Sequence, residues 1–71
     1  MGENQLLELT GSVEQVIYRN EKNGYTVLSL LAGDGEVTAV GTLPWVNAGE
    51  TLRLVGEWKT HPNFGTQFAA V

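Results

Sequence analysis

His61 is the only histidine of the chain, and the chain has no cysteine. A histidine acting as general base needs a nucleophile or a carboxylate within hydrogen-bond reach. His61 sits instead in Trp58-Lys59-Thr60-His61-Pro62-Asn63-Phe64-Gly65, next to a proline, where a turn-capping role is the expectation. Glu8 and Glu14 fall on one strand-like run and would lie about 20 Å apart, too far to work as an acid–base pair. No G-x-S-x-G string is present. Gly33-Asp34-Gly35-Glu36 imitates part of a phosphate-binding loop, but it joins two strand-like runs and puts two acids where an anion would rest. It reads as a hairpin turn. Nothing here predicts catalysis, a bound metal or a cofactor.

The remaining chemistry is recognition. Single-stranded nucleic acid is held by aromatic faces that stack on bases and by cations that follow the phosphates. Tyr18, Arg19, Lys22 and Tyr25 gather around one turn and are the candidate nucleic-acid-binding residues. Arg53, Lys59 and Trp45 lie elsewhere. The competing expectation for Tyr18 and Tyr25 is an ordinary cross-strand aromatic pair over the mouth of a barrel, and it is the favoured one. The whole chain has four Lys and Arg against eight Asp and Glu, a formal net charge of −4. Phosphate neutralisation dominates nucleic-acid affinity, so that balance counts against a self-sufficient binder. Trp45, in a loop after Pro44, either plugs the end of the barrel or docks a neighbour. Phe64 has the same two readings, and both residues are candidate contacts with another domain or a partner.

These residues must be positioned by strands. From Leu6 to Arg19, Leu7, Leu9, Gly11, Val13, Gln15 and Ile17 share one face, mostly apolar, and alternate with a polar face, as in a half-buried strand. Gly11 within it marks a bend or bulge. Asn20-Glu21-Lys22-Asn23-Gly24 is a turn, with Asn-Gly supplying residues that tolerate positive φ. Residues 25–32 and 36–42 form two further strands around Gly33-Asp34-Gly35. Pro44 ends the third, and 43–49 is too short for more than one helical turn. Residues 50–59 alternate again, placing Leu52, Leu54, Gly56 and Trp58 on one face, with Trp58 expected in the core. After a 60–65 turn, Thr66 begins a fifth strand.

The expectation is an all-β fold: a small five-stranded OB-fold-like barrel whose helix between strands three and four is reduced to a loop. The alternative is a small barrel of the SH3 type. Seventy-one residues make one domain, 1–71, burying about 60% of its unfolded surface. No apolar run approaches the ~20 residues of a membrane helix, and Met1 to Gln5 lack the features of a signal peptide. A cytoplasmic protein without membrane contact is expected. The strand-like ending Gln67-Phe68-Ala69-Ala70-Val71 suggests a domain cut from a longer chain.

Three strings then carry a resemblance. They are Gly11-Ser12-Val13-Glu14-Gln15-Val16-Ile17-Tyr18-Arg19-Asn20-Glu21-Lys22-Asn23-Gly24-Tyr25-Thr26-Val27-Leu28, Val40-Gly41-Thr42-Leu43-Pro44 followed by Gly49-Glu50, and Gly56-Glu57-Trp58-Lys59-Thr60-His61-Pro62-Asn63-Phe64-Gly65-Thr66-Gln67-Phe68. In order and spacing they resemble the N-terminal part of the long RecD-like DNA helicases, the exodeoxyribonuclease V alpha subunit family. The resemblance implies an OB-like domain ahead of ATP-driven motor domains that move 5′ to 3′ on single-stranded DNA in repair and recombination. ATP and Mg would then belong to the motor of the parent helicase, with no cofactor in this fragment. The implied role is an accessory module packing on the rest of the helicase chain or on a partner protein. The alternative is a module that itself holds single-stranded DNA at the Tyr18/Tyr25 hairpin.

Overall fold

A computed structural model describes residues 6–33, 35–63 and 65–71. They form five strands and, among the described residues, no helix. The strands are β1 (Leu7–Arg19), β2 (Tyr25–Ala32), β3 (Gly35–Thr42), β4 (Thr51–His61) and β5 (Gly65–Ala70). They close into a barrel in the order β1-β2-β3-β5-β4. The β3–β5 contact is parallel, through Ala39↔Phe68 and Val40↔Ala69. This order is the OB-type Greek key and sets the SH3-type alternative aside. No helix among the described residues is long and apolar enough to cross a membrane.

Closure depends on β1 serving two neighbours. Its first half pairs with β4, from Leu7↔Gly56 to Ser12↔Thr51. Its second half pairs with β2, from Ser12↔Leu31 to Arg19↔Thr26. Ser12 belongs to both ladders, so the strand turns there. Gly11 permits the turn: a Cβ on it would lie 2.4 Å from the Leu31 carbonyl oxygen. At the opposite seam, a Cβ on Gly56 would lie 2.0 Å from the Ala69 carbonyl oxygen. Backbones that approach this closely leave no room for a side chain.

β1 departs from simple alternation. Its register to β2 shifts between Val13 and Gln15 and again between Val16 and Tyr18. Each bulge adds one residue and moves the following side chains to the other face. Val13 and Val16 therefore both face the core, while Ile17, expected inside, is 56% exposed.

The core comprises Val13, Leu28, Leu30, Ala39, Leu43, Val46, Leu54 and Phe68. Leu43 and Val46 come from the segment between β3 and β4, which takes the place of the usual OB helix. Val46 is fully buried and so closes that end of the barrel. The segment is tied to β1 by Gly49 N–H donating to Val13 O and Val13 N–H donating to Glu50 O, both at 2.8 Å. Gly49 has φ +93°, a conformation that favours glycine.

Trp58 is not a core residue. It shares the parity of Leu52 and Leu54, but near the end of β4 the barrel no longer encloses it, and it remains 44% exposed. Its ring stands edge-on to the buried Phe68, with centroids 5.1 Å apart and planes at 77°. Such a pair is worth about 0.5–1.5 kcal/mol beyond the area it covers. The β4–β5 turn is also tighter than the sequence suggests, because His61↔Gly65 still pair.

Gly56→Ala is expected to destabilise the barrel by about 1–3 kcal/mol, since its neighbour is backbone and cannot swing aside. Gly35→Ala, with nothing within 4 Å, is expected to stay within about 0.5 kcal/mol of wild type. Urea unfolding followed by tryptophan fluorescence measures both.

Candidate nucleic-acid interface

The turn between β1 and β2 builds itself from its asparagines. Asn20 Oδ1 accepts from the backbone N–H of Lys22 at 2.8 Å and of Asn23 at 3.3 Å. Asn23 Oδ1 accepts from Tyr25 N–H at 2.9 Å. Gly24 takes φ +78°. The backbone closes with Gly24 N–H donating to Asn20 O and Asn20 N–H donating to Tyr25 O, both at 2.8 Å. This self-satisfied loop holds Tyr18 and Tyr25 on either side of it.

Beneath the loop is a second clamp. Thr26 is fully buried, and its Oγ1 lies 3.0 Å from Gly24 O and 3.1 Å from Leu43 O. Arg19 donates from Nε to Thr26 Oγ1 at 3.4 Å and from Nη2 to Val46 O. The Arg19 guanidinium thus fastens the 43–49 segment to the hairpin. It is committed to protein carbonyl and hydroxyl groups, and it does not line the groove described next.

Tyr18 and Tyr25 share a groove of about 570 Å³ with Ile17, Val27, Thr38, Val40, His61 and Gln67. It crosses the outer face of β1, β2 and β3 and reaches the end of β4 and the start of β5. A second depression continues past His61 to Lys59, Thr60 and Pro62. Tyr18 is 51% and Tyr25 40% exposed, so each keeps an open ring surface. His61 Nδ1 accepts from Asn63 N–H at 3.1 Å, the turn-capping role its setting predicts. The sequence-derived set therefore divides: the two tyrosines line the groove, and Lys22 stands on the exposed turn that joins their strands. Ile17, Val27, Thr38, Val40, His61 and Gln67 were not foreseen, because they come together only through the register of five strands.

Trp45 is 64% exposed on the 43–49 segment, where Val46 and Leu43, not Trp45, plug the barrel. Phe64 lies outside the described residues. The rim carries little positive charge. Lys59 lies 3.9 Å from Glu57 Oε2, an exposed pair worth under about 1 kcal/mol.

A groove on strands 2 and 3, flanked by the first and last hairpin loops, is where OB folds take oligonucleotides and oligosaccharides. Residues 6–71 match the family model described as the OB-fold domain of ATP-dependent DNA helicase YrrC. The chain belongs to that RecD-like helicase family. No solved structure matches it significantly. This YrrC-type OB domain shows no phosphate-binding loop among its described residues. The described glycines Gly33 and Gly35 belong to the β2–β3 hairpin, and no helix N-terminus stands among the described residues to receive phosphate. Among the described residues, no three acidic or histidine side chains gather as metal ligands would.

Further along the same face of this YrrC-type domain, Ser29 brings two carboxyls together. Its Oγ lies 2.8 Å from Glu36 Oε2 and 3.0 Å from Glu14 Oε1. One hydroxyl proton cannot serve both acceptors, so the two carboxyls compete. Hydrogen bonding with Glu36, followed by that neighbour's charge, pushes Glu14 above the usual carboxylate range, although Ser29 opposes the shift. The same hydrogen bond, and then Ser29, hold Glu36 below that range. The distant Glu8–Glu14 spacing gave no hint of this pair, which is assembled across three strands.

Two expectations follow from these contacts. Thr26→Val removes the acceptor of Arg19 Nε–H and one donor to the Gly24 and Leu43 carbonyls, which keep Leu43 N–H and Val46 N–H, and should cost about 0.5–1.5 kcal/mol in urea unfolding. Glu14 contributes stability when protonated, below its unfolded pKa, and loses that contribution as pH rises through its raised folded pKa. Glu14→Gln, which fixes the protonated form, should therefore raise Tm at pH 7 and leave it unchanged near pH 4. An equal rise at both pH values would contradict the carboxyl competition.

Proposed function

We propose that this domain is a non-catalytic accessory module of an ATP-driven RecD-like DNA helicase, acting in DNA repair and recombination, whose groove holds single-stranded DNA for motor domains elsewhere in the parent chain. One observation carries the reading: Tyr18 and Tyr25, open-faced, share a groove on the OB recognition surface. A base stacked on an aromatic side chain gains about 1–3 kcal/mol without regard to sequence. The sparse cations fit a supporting role better than a self-sufficient grip. ATP and Mg would act in the motor domains, and the cytoplasm is the compartment such a helicase requires.

A second reading has its own observation. Trp45 is the most exposed large aromatic among the described residues, and a tryptophan standing out of a barrel is suited to docking on the rest of the helicase or on a partner protein. Trp45 is not among the residues that line the groove, so the two roles are compatible.

Fluorescence anisotropy with labelled oligo-dT at low salt tests the first. Weak binding is expected, reduced about tenfold or more by Tyr25→Ala. Only Lys22 and Lys59 stand near the groove, so log K against log salt should fall with a slope no steeper than about −1.4. Absence of binding, or binding indifferent to Tyr25→Ala, would leave docking through Trp45 as the better account.

A further inference from the structure

The groove is open toward Lys59 and Pro62 but meets negative charge in the other direction. On β2, Tyr25 and Val27 line it, and Ser29 is the next residue on that face. On β3, Val40 and Thr38 line it, and Glu36 is next. One such step is about 7 Å along a strand. Glu14, carried by the first β1 bulge, reaches in from the third strand to the same serine hydroxyl. Ser29 is only 5% exposed, and its hydroxyl holds both carboxyls, on exposed Glu14 and Glu36, at the surface above it.

We propose that the Glu14–Ser29–Glu36 cluster is an anion barrier that ends the groove, so that the site holds only one or two nucleotides of a DNA strand and turns the following phosphates away. The proposal rests on the single-stranded-DNA reading of the groove. The two tyrosines provide platforms for two bases. A third base along β2 and β3 would bring its phosphate within a few ångströms of carboxylates with no cation beside them. Arg19 is turned inward to Val46 and Thr26, and Lys59 and Lys22 stand at the other end. Glu36 stays ionised at neutral pH, so the barrier carries charge whatever the state of Glu14. The range of the effect is about 10 Å at 0.1 M salt and about 30 Å at 0.01 M, so dilute salt magnifies it. On this account the acidic pair sets the footprint of the strand, while Tyr18 and Tyr25 supply the affinity.

The test compares wild type with the Glu14→Gln/Glu36→Gln double variant against short (about two-nucleotide) and long (about fifteen-nucleotide) labelled oligo-dT. Both substitutions are on the exposed surface, and circular dichroism checks that the variant is folded. Wild type should bind the long oligomer little better than the short one, beyond the statistical gain of more registers. The double variant should bind the long oligomer about tenfold tighter than wild type at low salt and leave the short one unchanged, the gain shrinking near 0.2 M salt. If wild type gains strongly with length and the variant matches it, the barrier is overturned while the DNA reading stands. If neither protein binds either oligomer, the DNA reading falls and takes the barrier with it.

Discussion

Every feature of this molecule depends on β1 changing partners at Ser12. A five-stranded sheet of this size has too little apolar surface to leave an edge open, and the chain closes it by giving one strand two neighbours. The cost is steric. Where β1 turns from β4 to β2 it passes against the Leu31 carbonyl, and where β4 meets β5 it passes against the Ala69 carbonyl. Gly11 and Gly56 are the two positions at which side chains had to be given up. The bulges that follow in β1 come from the same requirement. They add the twist that lets its second half follow β2, and in doing so they send Ile17 and Tyr18 outward. The groove is thus a by-product of closure.

The missing OB helix is replaced by side chains already available. Leu43 and Val46 fill the end of the barrel, and Arg19, Thr26 and Gly24 secure the segment that carries them. This clamp lies directly under the hairpin that separates the two tyrosines. A buried hydroxyl and a guanidinium, each with partners, rigidify a core that apolar packing alone would leave loose. The clamp therefore stabilises the barrel end and orients the rim of the groove together.

Much of the fold was legible in the sequence, for identifiable reasons. Turn chemistry at Asn23-Gly24 and Gly33, alternation in 50–59 and the bend at Gly11 are local signals, and they located all five strands and their order in the chain. The family followed from the same strings. The errors arose where local signals lose force. Parity counting fails across a bulge, so Ile17 was placed inside. It also says nothing about where a barrel ends, so Trp58 was placed in the core. The tyrosine pair could be named from its spacing about a turn. Val27, Thr38, His61 and Gln67 could not, since residues from separate strands become neighbours only once register is set. Arg19 looked like a phosphate ligand because a sequence does not show which carbonyl a guanidinium will find.

The acidic balance of the chain takes on a different meaning once the charges are placed. Counted as a total, −4 argues against a nucleic-acid partner. Placed on the barrel, the Glu14–Glu36 pair stands over Ser29 at one end with no salt-bridge partner among the described residues, whereas at the other end the charge of Glu57 is matched by Lys59. A field of that shape does not forbid a strand. It penalises extension of a phosphate backbone toward the carboxyls and leaves strand polarity unset, since the backbone carries the same charge in either direction. On the proposed single-stranded-DNA reading, stacking on two tyrosines gives a short contact that releases readily, whereas a basic groove would hold a strand more tightly. The carboxyls over Ser29 divide in the same way: competition for one hydroxyl raises Glu14, which costs stability at neutral pH, while Glu36 is held low and keeps its charge one strand step beyond Thr38 at the end of the groove.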